Sequence, residues 1–377
     1  MANSVSEEMQ RIKNIISRMR TETDIKVNEE LIDSVTKPGE NWVGEIYSVK
    51  ASRYQSSENL FLVIKIAPYD LTYRKMFNAA SLFQREIYYY DKIIPECIAI
   101  QRERRIAKIF HPFPRHYFSS KKDLEEAIVM DDMRQKSFIV GNHRQIVDYE
   151  TALLVMKTLG KFNALSFAIK EHNPDVFEEI RLNCEDNFLT SPPFLSTQII
   201  STCGYGNEQI HVDHGVVTHG DPQIRNFLFK YNTASTIPKE CCMIDMQIGR
   251  IGSPALDILF FMFVTTDKGL RRSHYKHLIE EYYSSLSTFL RELGCEPDTL
   301  LPFGVLQSHL RMFAPIGLML AIWIVGLNFK NPEDAPQKDN LTEESLTNNF
   351  STVNDERHFT RIKDLVVDML DYGYEFC

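Results

Sequence analysis

A chain of 377 residues, 44% apolar and 25% charged, has the composition of a globular protein with core enough for two lobes, which excludes disorder as its general state. A net charge of −9 excludes a surface tuned to nucleic acid, while leaving room for a local basic site that takes one nucleotide. The seven cysteines are scattered, odd in number and too sparse for a disulfide framework, so they read as reduced thiols of a cytoplasmic protein.

At the N-terminus, Glu7, Glu8, Arg11 and Lys13 stand where a secretion signal needs an apolar stretch. Met9, Ile12, Ile15, Ile16 and Met19 recur at helical spacing, which predicts an amphipathic first helix. Between Asn41 and Pro68 the pattern turns β-rich. Short apolar runs at Trp42-Val43, Ile46 to Val49 and Leu60 to Ile66, parted by the polar turn Gln55 to Asn59, predict an antiparallel hairpin. Phe83, Ile87, Tyr90 and Ile94 return to helical spacing and stop at Pro95. Apolar runs around Arg115 to Phe118 and Ala127 to Met130 follow, then Asp131-Asp132. Strands, helix, strands make a small α+β unit.

From Asp148 onward helices dominate, beginning with Leu153, Leu154, Met156, Leu159, Phe162 and Leu165 on one long buried helix. In the middle, short strands carry polar residues at their ends: Val216-Val217 before His219, Leu228-Phe229, and Met243-Ile244 before Asp245. Helices resume over Leu256 to Phe263, Tyr275 to Leu290, Leu306 to Leu327 and Phe359 to Leu370. The apolar run Phe313 to Leu327 is shorter than the roughly 20 residues that span a bilayer and contains Pro315 and Gly317, so it reads as a core helix and no membrane partner is expected. Asn331 to Glu356, rich in Asn, Asp, Glu and Pro, is expected to be a mobile loop.

The sharpest chemical signal is His219-Gly220-Asp221-Pro222-Gln223-Ile224-Arg225-Asn226, with Ile244-Asp245-Met246-Gln247 after the next strands. Phosphoryl transfer needs a carboxylate that orients the attacking hydroxyl and accepts its proton, and separate oxygen ligands that hold Mg²⁺ against the nucleotide phosphates. Asp221 suits the first task, Asn226 and Asp245 the second. Any one of these residues alone reads equally as a turn cap; their spacing between apolar runs is what carries the signal. Lys65 interrupts the apolar strand Leu62 to Ile66 and is costly to bury unless it meets phosphate oxygens and a carboxylate, for which Glu86 on the following helix is the candidate. Simple alternation also allows Lys65 to face outward. Gly39, Asn41 and Gly44 lie in a segment that suits a loop folding backbone N–H groups over phosphates, and an ordinary hairpin turn fits the same residues. No Lys-Ser or Lys-Thr follows Gly44, so it is not a P-loop. Asp257 is placed either to cap its helix or to bond the Asp221 loop backbone, the second being favoured.

Across most of its length the chain resembles the ecdysteroid kinase-like group, also called CHK-kinase-like, within the choline and aminoglycoside kinase superfamily. The likeness rests on Gly39-Glu40-Asn41, Leu62 to Pro68, Phe83 to Tyr90, Val129 to Met133, His219 to Asn226, Ile244 to Gln247 and Gly252 to Asp257. It implies an α+β, two-lobed protein-kinase-like fold, with a β-rich N-lobe over residues 1–130 and a larger, mainly helical C-lobe over residues 131–377. It also implies ATP in the cleft with its adenine beside a hinge that includes Met130, Asp131 and Met133, Mg²⁺ on Asn226 and Asp245, and a small alcohol, such as an ecdysteroid or other steroid, as acceptor. Several positions depart from the family pattern: Asn163 in the long helix, Pro222, Gln223 and Arg225 after the His-Gly-Asp, and Met246 where an aromatic residue is usual. None removes a group that the chemistry requires. Against a protein kinase stands the short stretch from Asp245 to Asp257, which leaves no peptide-docking segment. Two alternatives are a choline-kinase-like acceptor, which calls for an acidic and aromatic cage, and an inactive nucleotide- or steroid-binding protein.

Overall fold

The computed structural model describes residues 2–35, 44–53, 59–142, 145–184, 213–232, 235–328 and 356–374. Gly39, Asn41, the turn at 54–58 and all but the last residue of the expected loop 331–356 lie outside them. By its contacts the chain divides into two units, the first containing residues 2–91 and 113–138, the second residues 92–112, 139–328 and 356–374. The boundary expected after residue 130 falls inside the first unit, one residue before the end of the strand Ala127–Asp131.

In the first unit the N-terminal apolar repeat forms helix α1 (Ala2–Glu22), whose Ile12, Ile15, Ile16 and Met19 are fully buried because side chains three and four apart share a helix face. They pack on an antiparallel sheet made of β1 (Ile25–Ser34), β2 (Glu45–Arg53), β3 (Asn59–Ile66), β4 (His116–Ser120) and β5 (Ala127–Asp131), in the order β1-β2-β3-β5-β4. The expected hairpin is β2 with β3, in a register that pairs Glu45 with Ile66 and Ser52 with Asn59. Strand β1 has no clean period-two signal in the sequence, and a register shift between Val27 and Ile32 accounts for the break in its alternation. Helix α2 (Leu71–Phe77) is anchored through Arg74, which donates to both oxygens of the buried Glu126 at 3.0 and 2.6 Å. Helix α3 (Ala79–Tyr88) follows.

The second unit is mainly helical. Helix α4 (Ile94–Glu103), helix α5 (Tyr149–His172) and helix α6 (Pro174–Asn183) come first; Asp148 caps α5 by accepting from the Thr151 N–H at 2.8 Å. Strands β6 (Phe138–Val140), beginning at the unit boundary, β8 (Phe227–Tyr231) and β9 (Pro238–Met243) form one small sheet, and β7 (Val216–Val217) pairs with β10 (Ile251–Gly252). Helices α7 (Pro254–Thr265), α8 (Lys268–Glu292), α9 (Pro297–Leu300), α10 (Phe303–Asn328) and α11 (Glu356–Asp371) complete it. Helix α5 packs along α8 closely enough that a Cβ on Gly160 would stand 2.5 Å from the Tyr282 carbonyl oxygen. By length and composition α5 and the stretch containing α10 could each cross a membrane; in α5, 78% of the apolar window is buried inside the protein, which is how a core helix reads. The α+β class expected from the sequence is the one observed.

Candidate active site

In the first unit, β3 buries Leu60, Leu62, Ile64 and Ile66 in the core it shares with α1, so alternation turns Lys65 to the other face. There Lys65 Nζ meets Glu86 Oε2 of α3 at 2.6 Å, the two residues being only 4% and 1% exposed. The ring of Phe83, one turn before Glu86, stands 5.7 Å from the ammonium. A buried pair of this kind gives up several kcal/mol of hydration per ion and is weak evidence for stability, which leaves a functional reason for keeping it. Gly44 precedes β2 at φ +119°, and a Cβ there would come within 2.9 Å of the Ile66 carbonyl oxygen and of the Phe83 ring. Packing under Phe83 is therefore sufficient to require this glycine.

At the expected hinge, Met130 and Asp131 end β5. Met130 Sδ accepts from the Tyr90 hydroxyl at 3.6 Å, and the Asp131 carboxylate is held by Tyr117 Oη at 2.8 Å and by Lys136 Nζ. The Asp131 N–H is spent on the Arg115 carbonyl and the Asp132 N–H on the Phe61 carbonyl. Met133 opens a 3₁₀ turn, Met133–Lys136, capped by Asp132.

In the second unit the site grows from the β7–β10 pair. The Val217 N–H donates to Ser166 Oγ of α5 at 2.8 Å and its carbonyl accepts from Asn163 Nδ2 at 3.2 Å, while Asn163 Oδ1 accepts from the Tyr282 hydroxyl of α8 at 2.7 Å. Asn163 thus fixes β7 just ahead of the loop. Thr218 continues the pairing to the Arg250 carbonyl at 2.8 Å. Next, the N–H groups of His219 and Gly220 donate to the two carboxylate oxygens of Asp257, at 2.6 and 2.9 Å. Of the two roles foreseen for Asp257, the structure shows the loop-holding one. Gly220 sits at φ +84°, and a Cβ on it would lie 2.3 Å from the Ile248 carbonyl oxygen. Only glycine lets the segment after Asp245 cross the loop this closely.

Asp221 follows, with its carboxylate accepting from Gln223 Nε2 at 2.8 Å on each oxygen and from Asn226 Nδ2 at 2.9 Å on Oδ2. The Asn226 amide also donates to the Asp221 carbonyl at 2.9 Å. With its NH₂ turned to Asp221, the amide presents its oxygen the other way. The Ile244 N–H donates to the Asn226 carbonyl at 3.0 Å, which brings the end of β9 beside the loop. Asp245 takes φ +66°, a left-handed conformation costing on the order of 1 kcal/mol or more, while Met246 behind it is fully buried. Burial pushes the Asp221 carboxyl up to about 6; the Gln223 bond opposes this, the charge of Asp245 adds to it, and Arg225 and Asn226 oppose it. Burial likewise raises Asp257 to about 6 against its backbone donors, and lowers His219 to about 4.

The structure therefore brings Lys65 to Glu86 in one unit, and Asp221 to Asn226 in the other with Asp245 beside them. Gln223 and Arg225, which the sequence comparison marks only as departures, both belong to the Asp221 network, since Arg225 Nε donates to Gln223 Oε1 at 2.8 Å. Their signal in the sequence is no more than polar residues two and four positions after an aspartate. Asn163 is a third departure with a structural task.

An oxygen set of one carboxylate, Asp245, and one amide, Asn226, suits a hard cation that keeps waters and takes its other ligands from phosphates. Among the described residues no group of three or more His, Cys, Asp or Glu forms a metal cage, which such a cation does not need.

A small β-rich unit with a buried lysine–glutamate pair and a mainly helical unit with an Asp-Asn-Asp loop define a kinase-like protein. The profile of the ecdysteroid kinase-like family matches residues 38–204 and 193–295, and the chain belongs to that family. No curated protein sequence matches it. Among solved structures it is similar to a choline kinase from Cryptosporidium parvum Iowa II, with 13% identity, 92% of each chain covered and a TM-score of 0.44. It is also similar to the GDP complex of wild-type aminoglycoside 2'-phosphotransferase-IIIa, with 12% identity, 90% of this chain and 92% of that one covered, and a TM-score of 0.40.

Proposed function

We propose that this protein transfers the γ-phosphate of ATP to a hydroxyl group of a small molecule, with Mg²⁺ as cofactor. The observation that carries the reading is the Asp221 network: a carboxylate oriented by Gln223 and Asn226 and carried on backbone that Asp257 ties down. A carboxylate held in one orientation is placed to take a proton from a hydroxyl set against it. In the proposed step the acceptor oxygen bonds to the γ-phosphorus, the bond to the β,γ-bridging oxygen breaks, ADP leaves, and the hydroxyl proton passes to Asp221. Asp245 and the Asn226 amide oxygen hold Mg²⁺, which when bound neutralises charge on the phosphates. Lys65, kept in place by Glu86, is the group for the phosphate oxygens, and Met130, Asp131 and Met133 those for the base.

A small acceptor is favoured because the path from Asp245 to Asp257 is occupied by β10 and the Thr218–Arg250 contact, with no segment to spare for docking a peptide. The family's name makes ecdysteroids and other steroid alcohols the first acceptors to try. The thiols of Cys97, Cys241 and Cys295, free among the described residues, support a reducing, cytoplasmic setting. The test is incubation with ATP, Mg²⁺ and a metabolite extract supplemented with steroid alcohols, followed by mass spectrometry. A species gaining one phosphate, absent with Asp245→Asn, is expected; no nucleotide binding and no phosphorylated product would overturn the reading.

A further inference from the structure

Asp221 has a partner that the phosphate chemistry above does not call for. Gln223 is buried and turns its side-chain amide back on the carboxylate, with Nε2 at 2.8 Å from Oδ1 and 2.8 Å from Oδ2. Its other end is also fixed, because Arg225 Nε donates to Oε1 at 2.8 Å. A guanidinium offers only donors, so that bond decides which end of the amide is oxygen and commits the NH₂ group to Asp221. The result is a directed chain, Arg225 to Gln223 to Asp221, in which a cation acts on the carboxylate through a neutral amide.

The two carboxylate oxygens are not left equivalent. Oδ2 accepts from both Gln223 and Asn226, whereas Oδ1 accepts from Gln223 alone among the described residues. A carboxylate oxygen has two lone pairs, so Oδ2 is saturated by the protein and Oδ1 keeps one. A lysine or arginine directly on Asp221 would compete with a hydroxyl for that lone pair and hold the carboxylate less basic. A neutral amide fixes the plane of the carboxylate without a full positive charge against it.

We propose that Gln223, oriented by Arg225, is the positioning residue for Asp221, presenting Oδ1 to the hydroxyl of the acceptor. The inference rests on the kinase reading, and its test separates the two. The full chain and its Gln223→Met variant, equal in length but without the amide, are compared for Mg·ATP affinity by calorimetry and for steady-state ATP hydrolysis, with water as the acceptor. Loss of positioning lowers kcat on the order of 10- to 100-fold while ATP affinity and KM stay within about threefold. Because Arg225 acts through Gln223, adding Arg225→Met to Gln223→Met changes kcat by less than about threefold, although Arg225→Met alone lowers it clearly. If Gln223→Met does not fold, Gln223→Glu, which keeps the acceptor for Arg225 but sets a carboxylate against Asp221, is the second variant, with the same kcat loss expected. An unchanged kcat, equal losses in kcat and ATP affinity, or additive effects of the two substitutions overturn this inference and leave the kinase reading standing. Wild-type protein that binds Mg·ATP but turns over nothing also overturns it, since Asp221 then has no proton to accept. Wild-type protein that binds no Mg·ATP overturns the kinase reading and this inference together.

Discussion

The two units hold their functional groups by opposite electrostatic means. In the first, Lys65 and Glu86 are opposite charges on a strand and a helix, each elements with a core of their own, and they neutralise each other at 2.6 Å. In the second, Asp221 and Asp245 lie outside the helices and Asp257 in the first turn of α7, like charges brought near one another, and what restrains Asp221 and Asp257 is a set of N–H donors: the His219 and Gly220 backbone, the Gln223 amide and the Asn226 amide. The first arrangement is prepaired and rigid. The second keeps Asp221 and Asp257 on neutral N–H donors, which the proposed cation and proton transfer call for. The comparison teaches that the first site depends on a pair of opposite charges, and the second on a carboxylate that must also be held in one orientation.

The largest effect is expected from Asp221→Asn, which keeps the shape and removes the proton acceptor. Its kcat should fall on the order of 10²–10⁴-fold with ATP affinity within a few-fold, measured by steady-state turnover and calorimetry. Equal losses in both would make Asp221 a binding residue and erase the contrast with Lys65. In the first unit, Lys65→Met leaves Glu86 buried without its ammonium and should cost about 3–5 kcal/mol of stability in denaturant unfolding. Adding Glu86→Leu should recover most of that stability but none of the ATP affinity; recovery of both would show the pair to be structural only.

Asp257→Asn sharpens the comparison by keeping the residue's size while replacing one of its two acceptors with a donor. It should cost about 1–3 kcal/mol, the usual penalty of a buried N–H left unpaired. The pH dependence has a definite sign. The folded value of Asp257, about 6, lies above the ordinary 3.8, so its contribution is fully present below the unfolded value and is lost as pH rises through 6. The stability gap between wild type and Asp257→Asn should therefore widen by about 1 kcal/mol from pH 7 to pH 5, and a constant gap would mean that Asp257 is not raised. The smallest effect is Tyr282→Phe, which removes the bond to Asn163 and should cost about 1 kcal/mol by thermal unfolding while lowering turnover less than Asp221→Asn does.

Much of this was legible along the chain, for local reasons. The spacing of Ile12, Ile15, Ile16 and Met19 is enough to define a buried helix face, and a lysine inside Leu62 to Ile66 has few ways to be accommodated. The same holds for Asp221, Asn226 and Asp245, whose separation follows from a loop and the short strands after it. Strand β1 was not legible, since its register shift between Val27 and Ile32 breaks the alternation that would announce it.

The amino-acid pattern by itself determined the α+β class, the facing of α1, and the identity and order of the chemical groups, because each depends on residues near one another in the chain, whereas the facing of Lys65 on β3 came from the structure. Only the tertiary structure decided how those groups are restrained. Asp257 reaches the His219 and Gly220 N–H groups across a separation of 38 and 37 residues, and Asn163 reaches Val217 across 54. The left-handed backbone at Gly220 and Asp245 then sets which loop passes over which. Which oxygen of Asp221 keeps an open lone pair follows from Gln223 and Asn226, in a loop whose backbone those distant contacts hold, and no periodicity encodes a hydrogen bond between segments that meet only when the chain has folded.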